Sequence, residues 1–595
     1  MICTLTRINS FFSSDETIAL IFHMLLPRYL ISFVVLFQIS LPLLSHAAEE
    51  VESVSTESPA LLFYGNSMIE RLLEYGGMEA RLQIATSGKG LKIRSLAWTG
   101  DEVGNRLRLE GYPKHMKNLI KQWPSNVLVL GYGMNEAFHG AEGLPQFKRD
   151  YQSHIQQLAK THPKAKFVLL SPTAAQHPVS DLNENLKLYR NAISKLAQKN
   201  QAFFIDLFSP TLNSSSRLTE NGIHLNDLGN KQIGSIIAQE LLGYLGVKNS
   251  KPASENHIHE VRQAASAKHN RVAEVVRPKN AVVYFGVRAR PYEYAGEIPR
   301  YHKMIELTEE IVHRMAAEPK LKFANLERPS LDPMPPGKGH DDGKRTGIIK
   351  PPTDAMAEFT VADGYAVNLF ASEEQFPELR NPVQMAFDAK GRLWVVTMPS
   401  FPHTVPGLSP EDKLIILEDT DRDGKADKCT TFAENLDALD GIAFHHQGVI
   451  VSEQPRLLLM RDEDGDDRAD WQHELLRGID VTDSHHGGMI ATDPHGDILF
   501  CDGVFHRSQL ETPFGVHRGI DSTTYRLDPA TGRINTEWQH TTPNPWNITF
   551  DRWGNTFQMY GDGDVYDGTS LIWTPLGGYM PYAYARITSY GKGCG

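Results

Sequence analysis

Four short polar motifs in the first half of the chain carry the groups that acyl transfer requires. A serine nucleophile needs a base, and the oxyanion that forms on its substrate needs hydrogen-bond donors. Ser67 could act as the nucleophile, His224 as the base, and Gly100 and Asn135 as donors. Three of the motifs directly follow apolar runs and the fourth precedes a helical pattern: Gly65-Asn66-Ser67, Trp98-Thr99-Gly100-Asp101, residues 131–136 and Asn221-Gly-Ile-His224.

Short apolar runs alternate with amphipathic stretches throughout this half. The stretches at residues 146–160 and 183–199 have helical periodicity, and the runs are residues 60–64, 91–98, 126–132, 166–171 and 202–207. Such alternation indicates βαβ units around a buried parallel sheet. Loops at the carboxyl ends of parallel strands converge on one crevice, so the motifs should meet there.

The residues of these motifs resemble the SGNH (GDSL-like) hydrolases. In that family four blocks supply Ser, Gly, Asn and His in this order, here Ser67, Gly100, Asn135 and His224. The resemblance implies a three-layer α/β/α domain over about residues 55–247. It also implies a serine ester hydrolase without a cofactor, acting on a small-molecule or carbohydrate ester. The backbone N–H groups of Ser67 and Gly100 and the Asn135 amide would then form the oxyanion hole.

Two positions depart from the family pattern. Asn66 replaces the aspartate before the serine, and Asn221 replaces the aspartate three residues before the histidine. A neutral amide can orient an imidazole but cannot stabilise imidazolium, and the equivalent exchange in a serine protease costs about 10⁴ in turnover. Asp206, Asp227 or a backbone carbonyl could take over the carboxylate's place. The alternative is a non-catalytic carbohydrate-binding scaffold.

A weak repeat replaces the helical period in residues 355–595. Strand, tight turn and strand recur around Gly391, Gly448, Gly496 and Gly554, which lie 57, 48 and 58 residues apart. This spacing predicts β-propeller blades of four strands each. About four blades fit, so we expect an incomplete propeller. Residues 248–354 between the two halves read as a helical appendage followed by a linker.

Two acidic loops in this second half resemble the start of a calcium loop. In each loop alternating aspartates precede a turn, but the twelfth position, normally a bidentate Glu, is Thr430 in one loop and His473 in the other. A calcium site and a solvated acidic turn are equally good interpretations. The candidate ligands are Asp419, Asp421, Asp423 and Asp427 in the first loop, and Asp462, Asp464, Asp466 and Asp470 in the second.

A histidine pair, His485 and His486, precedes a Gly-rich strand. The segment resembles the soluble glucose and L-sorbosone dehydrogenases, and residues 355–595 resemble the membrane-bound dehydrogenase domain of planctomycete-type secreted proteins. That resemblance implies a base, His485 or His486, beside pyrroloquinoline quinone. Quinone-dependent sugar oxidation is therefore an alternative function. A non-catalytic loop is the simpler interpretation of the pair.

The N-terminal sequence suggests export. An apolar run over residues 30–44 follows Arg28 and ends in small residues, the pattern of a signal peptide over residues 1–47, with Met24 as a natural start. An uncleaved anchor is the alternative and the only expected membrane association. A net charge of −12 argues against a nucleic-acid partner. From the signal peptide we expect a periplasmic or extracellular esterase. The four cysteines form no CxxC pair, which a haem module would need.

Overall fold

The computed structural model describes residues 60–86, 90–247, 253–284, 296–332, 350–401, 403–483, 489–503, 505–540, 545–560, 570–573 and 578–580. The predicted signal peptide lies outside these ranges, so export and membrane association stay predictions. Within the described ranges, no helix is both long enough and apolar enough to span a membrane.

The first half contains the predicted parallel sheet. Its strands have the order β2-β1-β3-β4-β5, and all the pairs are parallel. Leu61, Leu62 and Phe63 of β1 are fully buried, as expected for a strand covered on both faces. The strands are β1 (Ala60–Gly65), β2 (Lys92–Ser95), β3 (Val127–Gly131), β4 (Lys166–Leu170) and β5 (Phe203–Ile205).

Helices pack on both faces of this sheet, because successive strand residues point to opposite sides. Leu61 and Val129 join one apolar cluster with α1, α2 and α7, whereas Leu62 and Leu128 join another with α3, α4 and α5. The α/β prediction is therefore confirmed. The helices of this half are α1 (Ser67–Tyr75), α2 (Gly77–Ala85), α3 (Tyr112–Gln122), α4 (Gly140–Thr161), α5 (Asn183–Lys199), α6 (Phe208–Leu212) and α7 (Asp227–Tyr244).

The segment expected to be an appendage packs tightly against the first half. Its helices are α8 (Glu255–Val276), α9 (Ala281–Tyr284), α10 (Glu297–Ala317) and α11 (Pro352–Met356). Val261 of α8 and Val312 of α10 share an apolar cluster with Ala80 of α2. Helix α8 also contributes a buried charge: Lys268 is fully buried and pairs with Glu79 at 2.5 Å.

The second half is all-β and antiparallel, apart from a parallel pair of β19 and β23. Its sheets have the orders β6-β7-β8-β9, β10-β11-β12-β13, β14-β15-β18-β19-β23 and β20-β21-β22. The strands are β6 (Pro382–Phe387), β7 (Leu393–Thr397), β8 (Asp412–Glu418), β9 (Lys428–Leu436), β10 (Leu439–His445), β11 (Gly448–Glu453), β12 (Arg456–Arg461), β13 (Trp471–Arg477), β14 (Ile490–Thr492), β15 (Ile498–Cys501), β16 (Gln509–Thr512), β17 (Gly515–Arg518), β18 (Thr523–Asp528), β19 (Arg533–His540), β20 (Pro545–Phe550), β21 (Thr556–Tyr560), β22 (Ser570–Trp573) and β23 (Gly578–Met580).

The predicted repeat corresponds to the first two strands of each sheet. Gly391, Gly496 and Gly554 lie between those strands and Gly448 begins β11; Gly391 and Gly496 have φ angles of +81° and +96°, which favour glycine. The first strands of three of these sheets lie close together. The Gln384 amide of β6 accepts from the Ile442 N–H of β10 at 2.7 Å and donates to the Ile490 carbonyl of β14 at 3.2 Å. The sheets do not close into a ring within the described ranges, so the propeller stays a prediction.

Strands β16 and β17 stand apart from these four sheets. They form a two-stranded hairpin inserted between β15 and β18 and pair only with each other in the described part of the chain. The two halves pack together within one unit that spans residues 59–595. The hairpin points from the second half into the first.

The buried cluster of Glu79, Lys268 and His269 gives a stability prediction. Burial alone would raise the pKa of Glu79, but Lys268 and then His269 hold it well below its ordinary value. Glu79→Gln should lower the free energy of unfolding in urea by about 3–5 kcal/mol, since it leaves Lys268 buried without its nearest carboxylate. The exposed Glu255, paired with Lys231 at 2.7 Å, is the matched control, and Glu255→Gln should cost less than about 1 kcal/mol.

The same prediction has a defined pH dependence. Because the folded-state pKa of Glu79 is lowered, its contribution is complete above the ordinary glutamate pKa of about 4.3 and is lost as the pH falls towards the lowered value. The difference between wild type and Glu79→Gln should therefore be full at pH 7 and shrink below about pH 4. A Glu79→Gln loss no larger than that of Glu255→Gln at pH 7 would contradict the buried ion pair.

Candidate active site

Ser67 lies where the first strand turns into the first helix. Strand β1 ends at Gly65, and the Asn66 side chain caps α1 by accepting from the Met68 N–H at 3.2 Å. A Cβ at Gly65 would lie 2.5 Å from the Gly131 carbonyl oxygen, so only glycine allows the ends of β1 and β3 to approach this closely. Asn66 thus acts as an N-cap, for which asparagine and aspartate are equally suited.

Gly100 lies in the turn after β2, and a buried carboxylate fixes that turn. The Glu70 side chain, one helical turn after Ser67, accepts from the Thr99 N–H at 2.6 Å and from its hydroxyl at 2.8 Å. Burial alone would raise the pKa of Glu70, but the Arg277 and Arg477 guanidinium groups lower it below its ordinary value. Glu70 therefore ties the turn that carries Gly100 to the helix that carries Ser67.

A second carboxylate fixes the loop after β3 in the same manner. Glu136, the neighbour of Asn135 in the chain, accepts from the N–H groups of Val103 at 2.7 Å and Gly133 at 2.8 Å. Burial raises the pKa of Glu136 to about 7. Neither Glu70 nor Glu136 was predicted as a site residue, although each lies within three residues of one.

His224 lies in the loop before α7, where Asn221 sets the orientation of its ring. The Asn221 Oδ1 accepts from the backbone N–H groups of Ile223 at 3.3 Å and His224 at 3.1 Å. Its Nδ2 therefore faces the His224 Nδ1 at 3.0 Å and donates to it. This network assigns the ring proton of neutral His224 to Nε2, the nitrogen that a general base must keep free.

The two aspartates considered as substitutes for the missing carboxylate have other places. Asp206 pairs with Arg190 at 2.5 Å and accepts from the Ser209 hydroxyl at 2.6 Å. Asp227 is exposed in the first turn of α7. Neither has a hydrogen bond to His224 within the described ranges, so the interpretation that they replace the carboxylate is wrong.

The four predicted site residues converge on one side chain from the second half of the chain. The Oε1 atom of Glu511, in β16, contacts the Ser67 hydroxyl and lies 3.3 Å from the His224 Nε2. Its Oε2 accepts from the Gly100 N–H at 2.8 Å and from the Asn135 amide at 3.1 Å. Ser67 and Glu511 are 1 % and 3 % exposed, so the carboxylate fills the site.

The charge state of this cluster follows from its contacts. Burial alone would raise the pKa of Glu511, but His224, then Ser67 and Asn135, hold it well below its ordinary value. Burial, with a smaller contribution from Arg71, lowers the pKa of His224. At neutral pH the site therefore contains a glutamate anion and a neutral histidine.

Glu511 could not be recognised from the sequence. It lies 444 residues after Ser67, and β16 has no motif that points to a hydrolase site. A cavity of about 410 Å³ adjoins the cluster and is bounded by both halves of the chain. Its lining includes the charged and polar side chains of Arg71, Arg217, Glu220, His473 and Glu474.

The two acidic loops bring carboxylates together at the surface. Three aspartates in each loop place ligand oxygens within 4.8 Å of one another: Asp419, Asp421 and Asp423, and Asp462, Asp464 and Asp466. Asp427 and Asp470 lie outside these triplets. Asp427 accepts from the Thr420 N–H at 2.9 Å, and Asp470 accepts from the Glu463 N–H at 3.0 Å. Backbone N–H groups also bind the triplets, as in a capped turn. Calcium binding stays a prediction.

The predicted quinone-dependent site cannot be placed in the same way. His485 and His486 lie outside the described residues. A base role for either one and the binding of pyrroloquinoline quinone therefore stay predictions.

Comparisons with known proteins match the two halves separately. Residues 63–232 match the GDSL-like Lipase/Acylhydrolase family, and residues 351–565 match a domain of unknown function, DUF7133. No curated protein matches the chain.

Solved structures resemble the first half. One is a catalytic mutant of an acetylxylan esterase from Geobacillus stearothermophilus, with 14 % identity over 34 % of this chain and 100 % of that chain (TM-score 0.27). Another is a lipase/acylhydrolase from Enterococcus faecalis, with 15 % identity over 33 % and 100 % of the respective chains (TM-score 0.25). Residues 63–232 are thus similar to the GDSL-like lipase/acylhydrolase family, and the antiparallel β-sheet region that follows them matches a family with no assigned function.

Proposed function

We propose that the protein is a serine ester hydrolase that works through an acyl-enzyme on Ser67. The observation that carries this proposal is the convergence of the Ser67 hydroxyl, the Gly100 N–H, the Asn135 amide and the His224 imidazole on one carboxylate. A carboxylate has the shape of the acid that ester hydrolysis releases. The position of Glu511 therefore marks where an acyl group would bind.

The reaction follows from these positions. The Ser67 oxygen attacks the ester carbonyl carbon while His224 accepts its proton, and the carbonyl oxygen becomes an anion at the place now taken by the Glu511 Oε2. The Gly100 N–H and the Asn135 amide stabilise that anion. His224 then gives its proton to the departing alcohol, and a water molecule releases the acid from Ser67 by the same steps.

The adjoining cavity favours a polar alcohol as the leaving group. Arg71, Arg217 and Glu220 can form hydrogen bonds with hydroxyl groups, whereas a long alkyl chain would remove their hydration without replacing it. Carbohydrate esters fit this lining, and we propose them as the substrate class. Secretion, which would bring the enzyme to such substrates, is proposed on the N-terminal sequence alone.

A second candidate is a non-catalytic scaffold, and one observation favours it. Asn221 places the proton of His224 on Nε2, so the ring must change tautomer before it can accept the Ser67 proton. That change breaks the bond from the Asn221 amide, because an N–H on Nδ1 would then face a donor. Quinone-dependent sugar oxidation stays a prediction that depends on His485 and His486.

The nucleophile can be tested with a fluorophosphonate probe on the full chain. We expect slow covalent labelling that Ser67→Ala abolishes, since the probe reacts only with an activated serine. Ser153→Ala changes an exposed serine on α4 and should leave labelling intact. The readout is intact-protein mass and peptide mapping. Absence of labelling from both wild type and Glu511→Ala, with both folded, would contradict the esterase.

The base can be tested by restoring a carboxylate. Asn221→Asp should raise the labelling rate at least about tenfold, because a carboxylate can accept from the Nδ1–H and stabilise imidazolium; the reverse change in a serine protease costs about 10⁴. Asn213→Asp adds the same charge at an exposed position and is the control.

The pH profile gives a second readout of the same change. Labelling of wild type requires neutral His224, so the rate should fall on the acid side with a midpoint below the ordinary histidine pKa of about 6.5. The midpoint should move upwards in Asn221→Asp, since a negative charge beside the ring raises its pKa. An unchanged rate and profile would show that His224 is not the base.

A further inference from the structure

We propose that the β16–β17 hairpin holds the hydrolase site closed: the Glu511 side chain occupies the acyl position, and an ester enters only when the hairpin withdraws. This inference rests on the proposed function, because closure regulates the protein only if Ser67 reacts. It assigns to the second half of the chain a control over the first.

Glu511 and a substrate compete for the same hydrogen-bond donors. The Glu511 Oε2 takes both the Gly100 N–H and the Asn135 amide, the donors that a substrate's carbonyl oxygen needs. The Oε1 takes the Ser67 hydroxyl, which must instead face the carbonyl carbon. Because the site is buried and filled, a substrate and Glu511 cannot occupy it together.

The contacts of Glu511 favour a blocking role over a role as the general base. A general base beside Ser67 would have to leave the oxyanion hole free, yet the second oxygen of this carboxylate fills it. The hydrogen bonds to Glu511 also keep its pKa below the ordinary value, which makes it a weak base. Removal of Glu511 should therefore increase reactivity if it blocks the site, and abolish reactivity if it acts as the base.

The β16–β17 hairpin is a separate structural element of the second half. Its strands pair only with each other among the described residues, and such a hairpin has little stability of its own. Non-glycine residues with left-handed backbone flank it on both sides: Phe505 at φ +64°, Asp521 at +47° and Ser522 at +42°. Such conformations are sparsely populated for residues other than glycine, so the backbone is strained at both junctions.

Polar bonds hold the hairpin against the hydrolase half. The Gln509 amide donates to the Asp101 carboxylate at 2.9 Å and accepts from the Leu107 N–H at 2.9 Å. Arg518 donates to the Gly100 carbonyl at 2.8 Å. Water can replace such bonds when the surfaces separate, so their net contribution is smaller than that of buried apolar contacts over the same area. Opening of the site therefore requires the exchange of these polar bonds for bonds to water.

The test compares fluorophosphonate labelling of the full chain in wild type, Glu511→Ala and Glu434→Ala. Glu434 is an exposed glutamate on β9 and controls for the loss of a carboxylate. We expect Glu511→Ala to react about tenfold faster or more, since a site open for about a tenth of the time reacts about ten times more slowly than an open one. Glu434→Ala should react at the wild-type rate.

The outcomes separate this proposal from the proposed function. Equal rates in wild type and Glu511→Ala would overturn closure and leave the esterase intact. Slower labelling of Glu511→Ala would also overturn closure, in favour of Glu511 as a base. If Glu511→Ala does not fold, Arg518→Ala replaces it, because loss of the bond to the Gly100 carbonyl should loosen the hairpin and speed labelling; an unchanged rate would overturn closure.

If neither wild type nor Glu511→Ala is labelled, the esterase proposal is contradicted, and the binding of acetate then tests the closure proposal on its own. Acetate presents the same carboxylate as Glu511 and needs no reaction. Saturation-transfer NMR should detect acetate binding to Glu511→Ala and not to wild type, and Asn135→Ala in the Glu511→Ala background should weaken it. Binding of acetate to both proteins, or to neither, would overturn the proposal.

Discussion

The Glu511 carboxylate, buried between the two halves of the chain, is the interaction on which the site and the interface both depend. A buried anion is costly unless donors replace its hydration, and here the donors come from Ser67, Gly100, Asn135 and His224. In the closed site the Glu511 anion depends on these four donors, which all belong to the first half. They fix the position of β16 against the ends of β1, β2 and β3.

Ionic contacts outside the site also join the two halves of the chain. Arg477 of β13 pairs with Glu74 of α1 and with its own neighbour Glu474, which in turn pairs with Arg71. Such groups bind with defined geometry, whereas apolar surfaces can slide against each other. An interface made of paired buried charges therefore sets one register between the halves, at some expense in stability compared with a well-packed apolar interface. The helix that carries Ser67 thus has the second half as a rigid support.

The sequence predicted what depends on neighbours in the chain. The parallel strands and the turn glycines of the β repeat could be recognised because periodicity and turn chemistry are local properties. Asn221 was recognisable as a departure, and the structure explains its effect through the two N–H groups that orient its amide. Glu511 and the pair of Glu79 with Lys268 could not be predicted, because one sequence does not show which distant side chains meet.

The strength of the closure depends more on the tether than on the carboxylate. A free carboxylate such as acetate forms only four hydrogen bonds in this site and would bind weakly. Glu511 makes the same bonds intramolecularly, where the effective concentration of a tethered group reaches the millimolar range or more. It therefore competes with a substrate ester and also with the product acid. Because Gln509 and Arg518 fix the hairpin, they control this effective concentration. Whatever loosens these two side chains opens the site, even though neither touches Ser67.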